Sequence, residues 1–331
     1  MKIIYRDYLI NNFNLEKSAL TIGNFDGCHK GHQKLIINTV EYANKTLCDS
    51  VVITFLPTSK EYFFYSKNYL TNNDIDTNIN ILTFEQKLKL FEEMGVDVVM
   101  VDKFDNYLSM LSAEEYYVNY IQKLNPVFIC IGEDFCFGYK KSGNIDFFLK
   151  KSKEQGYLVD IIKTLYLQQY PIKSSAIRAF LKEGIIEIAN TMLGRPYVIE
   201  GIICKGEQLA RKLGFPTTNL NHVKQIIPKD GIYCGYVVLN QDINFKFSIL
   251  KLDNDAIPAV FHIGRMASTT QDIKIEAHLL QGEYGENALY GYKAAYYFTH
   301  KVRDRKSFNN ISELILTIKQ DILKAKKILG I

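Results

Sequence analysis

Two histidines three residues apart, in Gly23-Asn-Phe-Asp-Gly-Cys-His-Lys-Gly-His32, are the side chains of this sequence best suited to handling a phosphate in mid-transfer. The imidazoles of His29 and His32 can donate hydrogen bonds to oxygens that gain charge in a phosphoryl-transfer transition state. Such chemistry needs no covalent nucleophile, because positioning and charge stabilisation carry most of it. Gly31 removes a side chain where a backbone must come close to something. An apolar run ends at Ile22 and a helical pattern starts near His32, so the segment is expected to lead a strand into a helix whose free N–H groups favour an anion. Gly23, Asn24, Phe25 and Asp26 are candidate binding residues in the turn between them.

Three further groups could do related work. In Lys173-Ser-Ser-Ala-Ile-Arg178, Ser174 and Ser175 can cap a helix starting at Ala176, and Arg178 can grip a phosphate bidentately. Lys205-Gly-Glu-Gln-Leu-Ala-Arg-Lys-Leu-Gly214 is a basic loop whose Gly206, Gly214, Lys205 and Lys212 could hold phosphates. Pro216, Thr217 and Asn219 follow it, and the hydroxyl of Thr217 and the amide of Asn219 can both offer oxygen to Mg²⁺. Glu276, in Ile275-Glu-Ala-His-Leu-Leu280, alternates away from Ile275 and Ala277, so its carboxylate can accept the proton of an attacking hydroxyl. On a strand such a glutamate is ordinarily just solvent-facing, and His278, two residues on, is read as structural.

The elements that must position these residues fall into two textures. In the first half, strands are expected at Ala19–Ile22, Val51–Phe55, Val98–Val101, Val127–Ile131 and Leu158–Ile162, with helices near 32–45, 84–94, 112–123 and 144–155. Strands alternating with helices indicate βαβ units in a parallel sheet, with ligands beyond the carboxyl ends of the strands. From about residue 197, β segments follow without long helices: Val198–Cys204, Ile232–Leu239, Phe245–Leu250, Ile257–Ile263, Ile273–Leu280 and Tyr292–Phe298. They fit a small closed or Greek-key barrel. Ile311, Leu314, Ile315, Ile318, Ile322, Ala325 and Leu329 then form the stripe of a terminal helix, with Asn310 and Glu313 as its capping box. The stretch 176–193, two short helical patterns broken at Gly184, is expected to be the linker.

Length and composition agree with this division. A chain of 331 residues suggests two domains, and 47% hydrophobic with 23% charged residues excludes a disordered or low-complexity scaffold. A net charge of +4 suits small anions and is too weak to imply nucleic acid. The six cysteines have no zinc-ligand spacing, the first residues do not read as a signal peptide, and no run is long enough to span a membrane. A cytoplasmic protein, monomeric or a weak homo-oligomer, is expected.

These motifs together resemble the prokaryotic bifunctional riboflavin kinase/FAD synthetase family. Gly23–His32 is similar to the signature of its H-x-G-H nucleotidylyltransferase half. Gly132-Glu-Asp-Phe-Cys-Phe-Gly138 is similar to its flavin- and nucleotide-facing loop, which makes Asp134, Phe137 and Gly138 candidate binding residues. Lys173–Arg178 resembles the motif whose arginine faces the triphosphate, and Gly194-Arg-Pro-Tyr197, Leu213–Leu220 and Leu289-Tyr-Gly291 resemble the kinase module, whose base falls at Glu276. The resemblance implies a Rossmann-like parallel-sheet nucleotidyltransferase domain over 1–186. A six-stranded Greek-key β-barrel with a C-terminal helix is implied over 187–331. It also implies phosphorylation of riboflavin to FMN and adenylylation of FMN to FAD, with ATP as co-substrate, Mg²⁺ as cofactor, and neither nucleic acid nor membrane as partner.

The chain departs from the family pattern at several points. Pro57-Thr58-Ser59 stands where a Pro-His-Pro is usual, Lys173 where serine is usual, and His262-Ile-Gly-Arg-Met-Ala-Ser268 where Asn-Ile-Gly-x-Arg-Pro-Thr is usual. Gln281-Gly282 replaces Asp-Phe. The altered rim leaves an alternative open: an FMN adenylyltransferase whose barrel binds flavin but is catalytically impaired.

Overall fold

The computed structural model describes residues 1–6, 15–68, 79–206, 209–250, 252, 254–265, 273–282, 284–285 and 287–331. The departures at Met266 and Ala267 lie outside the described residues. The chain forms two compact units, Met1–Ile75 with Lys87–Lys173, and Asp76–Gln86 with Ser174–Ile331.

The first unit is built on a six-stranded sheet in the order β1-β4-β3-β2-β5-β6. Its strands are β1 (Lys2–Tyr5), β2 (Ser18–Ile22), β3 (Asp49–Phe55), β4 (Val98–Asp102), β5 (Pro126–Gly132) and β6 (Leu158–Ile162). Every pairing is parallel. Buried Leu20, Ile22, Val51, Ile53, Met100, Ile129 and Ile131 make the sheet's contribution to a core that also holds Tyr117, Tyr120 and Phe148. Parallel strands covered on both faces need such unbroken apolar runs, which is why the sequence shows them so plainly. The edge strand β1 escapes sequence reading, since four residues carry too little periodicity to be seen.

Among helices of eight residues or more, this unit holds α1 (Lys30–Thr46), α2 (Ser59–Asn68) and most of α3 (Phe84–Glu93), with α4 (Ile145–Gln155) later in the chain. The helix expected at 112–123 is instead one α-turn, Ala113–Tyr116, followed by a π-helical turn at Tyr117–Ile121 and a 3₁₀ turn. Tyr116, Tyr117, Tyr120 and Ile121 are all buried along this irregular segment, as the sequence pattern leads one to expect of a single helix face. A two-strand hairpin, β7 (Tyr166–Leu167) with β8 (Tyr170–Pro171), closes the unit.

The second unit is a closed barrel in the order β10-β13-β12-β11-β14-β9. Its strands are β9 (Tyr197–Cys204), β10 (Thr218–Asn221), β11 (Gly231–Asn240), β12 (Ile257–Arg265), β13 (Ile273–Leu279) and β14 (Lys293–Asp304), all antiparallel. The segment Phe245–Leu250, expected as a strand, is not one; β10 takes the sixth place. Phe247 and Ile249 are buried, so the apolar alternation is real. Side chains of β14 satisfy its carbonyls in place of a ladder: Lys293 Nζ donates to Phe245 O and Tyr297 OH to Ser248 O.

The stretch expected as a linker forms helices α5 (Ser174–Glu183) and α6 (Ile186–Leu193) around Gly184, whose φ is +73°. Ile177, Leu181, Ile186, Ala189, Met192 and Leu193 are buried there, so these helices belong to a core. The terminal helix α7 (Ile311–Leu329) starts at an Asn310 cap that accepts from Glu313 N, while the Glu313 carboxylate reaches Asn309 N. Its deepest face is Thr317, Asp321 and Ala325, rotated from the apolar stripe, and Arg303 of β14 pairs bidentately with Asp321 there.

Candidate active sites

The first site is built on the loop leaving β2. In the strand order, β2 and β5 are the neighbours from which the chain winds in opposite directions, and open parallel sheets bind ligands at that switch point. The loop needs unusual backbone: Phe25, Gly27 and Cys28 all have positive φ, at 48°, 79° and 39°. The Phe25 ring, 1% exposed, packs so closely beneath Gly23 that a Cβ there would stand 3.2 Å from it. It meets the edge of His32 at 5.2 Å and of Phe91 at 5.6 Å between ring centroids. Phe25 and the buried Asp26 therefore support the loop from below.

Helix α1 begins earlier than the sequence suggests. His29 is its cap: the ring Nδ1 accepts a hydrogen bond from His32 N at 3.3 Å, the role that serine or aspartate usually fills. An accepting Nδ1 leaves Nε2 as the protonated nitrogen of the neutral ring, which makes it a donor. The His29 and His32 rings stack at 3.7 Å and 18°. The first turn of α1 carries no acidic residue, so the positive end of the helix is not neutralised within it. Gly31 lies against the His29 ring, 3.3 Å from where a Cβ would be.

Neighbouring elements brace this loop. Asn24 Nδ2 donates to Ser59 Oγ at 2.9 Å, so the Pro57-Thr58-Ser59 departure supplies a hydroxyl partner. Lys87, on α3 and 4% exposed, donates to Asn24 O at 2.9 Å. Burial pushes its ammonium below the usual lysine range, against the pull of Asp26 and Glu61. Sequence reasoning passes over Lys87, which sits among other polar residues on an ordinary amphipathic helix. On the loop after β5, Asp134 pairs with Lys173 at 2.6 Å, and this carboxylate raises the lysine. Phe137 packs into the core beside Tyr116, Phe135 and Phe148, and Gly138 has φ +72° with Ala113 N only 2.6 Å from where a Cβ would be. Ser174, Ser175 and Arg178 lie on α5 in the second unit, where Arg178 Nε donates to Ile79 O at 3.0 Å.

The second site is on the outer wall of the barrel. Along β13, Ile275 and Ala277 are buried inside, so Glu276 and His278 face outward. The register sets Asn219 of β10 and His262 of β12 on either side of Glu276. His262 Nδ1 is 3.1 Å from Glu276 Oε2. Thr218, between Thr217 and Asn219, turns inward and bonds the buried Tyr296 hydroxyl at 2.7 Å. His278 Nδ1 lies 2.9 Å from Pro216 O and its ring meets Phe215, so it steadies the segment that carries Thr217. Gly206 abuts Asn219: a Cβ there would lie 2.2 Å from the amide nitrogen. Lys205 and Lys212 are exposed, and Gly214, φ +88°, ends the turn Leu209–Lys212. Neutral oxygens of Thr217 and of Asn219, whose amide is packed against the bare α-carbon of Gly206, are of the type that suits Mg²⁺, which takes few protein ligands beside phosphate oxygens and water. Among the described residues no cluster of three His, Cys, Asp or Glu could hold a metal.

One unit thus sets a helix-capping histidine pair at a sheet's switch point, and the other sets an outward carboxylate on a barrel strand. Both features suit an ATP-dependent transferase, and comparison with known proteins shows that class. A family model described as FAD synthetase matches residues 12–176, and one described as riboflavin kinase matches 193–329. The bifunctional riboflavin kinase/FMN adenylyltransferase of Buchnera aphidicola subsp. Schizaphis graminum is 34% identical over 99% of this chain and 98% of its own. That of Escherichia coli strain K12 is 29% identical over 100% and 99%. The chain belongs to the bifunctional riboflavin kinase/FMN adenylyltransferase family. A solved structure described as a macrolide-efflux protein from Streptococcus pneumoniae matches at TM-score 0.79 over 97% of both chains; at 23% identity that likeness shows the fold alone. Among the described residues no helix is long and apolar enough to cross a membrane.

Proposed function

We propose that the two activities divide between residues 1–186 and 187–331, with the chemistry carried by the side chains described above. In the barrel, Glu276 takes the proton of the ribityl 5′-hydroxyl of riboflavin as that oxygen bonds the γ-phosphorus of ATP, giving FMN and ADP. Lys205, Lys212 and the backbone N–H of Gly206 hold the phosphates, while Gly214, whose N–H donates to Arg211 O, and Pro216, which has no N–H, shape the loop that presents them. Thr217 and Asn219 would hold Mg²⁺, which when bound neutralises phosphate charge.

In the sheet unit, a phosphate oxygen of FMN attacks the α-phosphorus of ATP, and pyrophosphate leaves as FAD forms. His29 Nε2–H, His32 and the N–H groups at the start of α1 stabilise charge at the reacting phosphorus. Gly23, Asn24 and Gly31 let the backbone approach, and Phe25 and Asp26 keep it in place. The resemblance assigns Asp134, Phe137 and Gly138 to the ligand-facing loop and Arg178 to the triphosphate, with Ser174 and Ser175 as further binding residues of the same motif. The six free cysteines support a reducing, cytoplasmic setting, and the protein is read as a monomer or weak homo-oligomer.

The observation that carries this reading is the stacked His29–His32 pair on a helix start free of acidic residues. Chromatography of the products from riboflavin, ATP and Mg²⁺ tests both steps. His32→Ala should abolish FAD formation and spare FMN formation, and Glu276→Gln should do the reverse when FMN is supplied. Equal loss of both activities in either folded variant contradicts the division.

A further inference from the structure

His262 stands where the family motif usually has asparagine, and the structure places it in contact with Glu276. An ionised carboxylate only accepts, so the 3.1 Å contact between Glu276 Oε2 and His262 Nδ1 requires the hydrogen on Nδ1. The far side of the ring is fixed as well. A Cβ on Gly264 would lie 3.0 Å from both Cε1 and Nε2, so the imidazole rests over the bare α-carbon of Gly264. Its place is thus set by a carboxylate on one side and a glycine on the other. Around the pair, Lys274 opposes Gly264 across the ladder, Asn219 opposes Glu276, and Arg305 approaches Gly264 from a 3.4 Å pairing with Asp230.

We propose that His262 is a positioning residue for riboflavin phosphorylation, locking the Glu276 carboxylate through Oε2 so that Oε1 is the oxygen offered to the substrate hydroxyl. This rests on the reading of Glu276 as the base. The hydroxyl proton passes to Oε1 while the 5′-oxygen bonds the γ-phosphorus and the bridging oxygen leaves with ADP. The Nδ1–H bond to Oε2 persists throughout, so the carboxylate does not rotate away between turnovers. Orienting a base by a hydrogen bond from a third group is a recurrent arrangement in nucleophilic chemistry.

The test uses the full chain with riboflavin, ATP and Mg²⁺, and FMN adenylylation as the internal measure of folding. His262→Leu, which keeps bulk and loses the donor, should lower the kinase kcat by roughly 10- to 100-fold, by analogy with the loss that follows removal of a hydrogen-bond partner orienting a metal-binding side chain. KM for riboflavin and ATP should stay within about threefold of the parent. His262→Asn, whose side-chain NH₂ can occupy the place of Nδ1–H, should recover most of that kcat. Unchanged kcat in His262→Leu overturns the proposal, as does a rise in KM alone or an equal loss in His262→Asn. Glu276→Gln separates the two readings: if it still phosphorylates riboflavin, the base assignment itself has failed. If it is inactive and His262→Leu is fully active, only the positioning role has failed.

Discussion

Gly206→Ala offers a sharp test of the barrel site, because the structure sets the size of the disturbance. The φ of Gly206 lies outside the left-handed region, so alanine brings no backbone strain. Its new methyl group, however, would stand 2.2 Å from Asn219 Nδ2, 2.6 Å from Cγ and 2.7 Å from Oδ1. Ordinary contact begins near 3.4 Å, so the amide must retreat by about 1.2 Å. A misplacement of about 1 Å in a reacting assembly costs on the order of 100-fold, or about 2.7 kcal/mol of transition-state stabilisation. The kinase kcat/KM for riboflavin should therefore fall about 100-fold, and the Mg²⁺ needed for half-maximal rate should rise. Adenylylation of supplied FMN should match the parent. Product chromatography across a Mg²⁺ series reads all three. A folded Gly206→Ala protein with kinase kcat/KM within about threefold of the parent would refute the placement of Asn219 in the site.

Two further expectations concern stability. Burial pushes the Asp102 carboxyl from 3.8 up to about 6, partly offset by Arg6 at 3.4 Å. Between those values the folded protein keeps a proton that the unfolded chain has released, so this group's contribution to stability falls as pH rises from about 4 to 6, by about 3 kcal/mol. Asp102→Asn should remove that slope from denaturation midpoints measured across the range, with Arg6 keeping Asp105 at 2.9 Å; an unchanged slope defeats the prediction. Asp321→Ala leaves the Arg303 guanidinium with its bond to Asp304 O and removes its contacts of 2.7–3.1 Å to the carboxylate of the buried Asp321. It should lower stability by about 3 kcal/mol, read as a drop in denaturation midpoint. A loss below about 1 kcal/mol would mean the pair behaves as a surface one.

What was legible in the sequence follows the strength of the local signal. The buried strands β2 to β5 are continuous apolar runs, and such runs arise because both sheet faces must be covered. The outward setting of Glu276 follows from period-two alternation in β13, since a strand cannot turn one side chain without turning its neighbours. Where the signal misleads, side chains have done work usually left to the backbone. Phe245–Leu250 alternates like a strand, yet Lys293 and Tyr297 satisfy its carbonyls. Thr218–Asn221 is a strand with almost no apolar content, held by pairing to β9 and β13. His29 caps α1 with a ring nitrogen, an acceptor that no list of capping residues leads one to expect.

The order of elements, the division into a parallel sheet and an antiparallel barrel, and the presence of His29, His32, Asn219 and Glu276 at a loop or strand position are properties of the linear chain. They follow from periodicity and residue type over a few consecutive positions. The stacking of the two histidines, the buried Lys87 under Asn24, and the row Asn219–Glu276–His262 were decided only by tertiary structure. Each depends on the register or packing of segments distant in sequence, and a register is set by the summed burial of whole strands, not by the residues that happen to meet there.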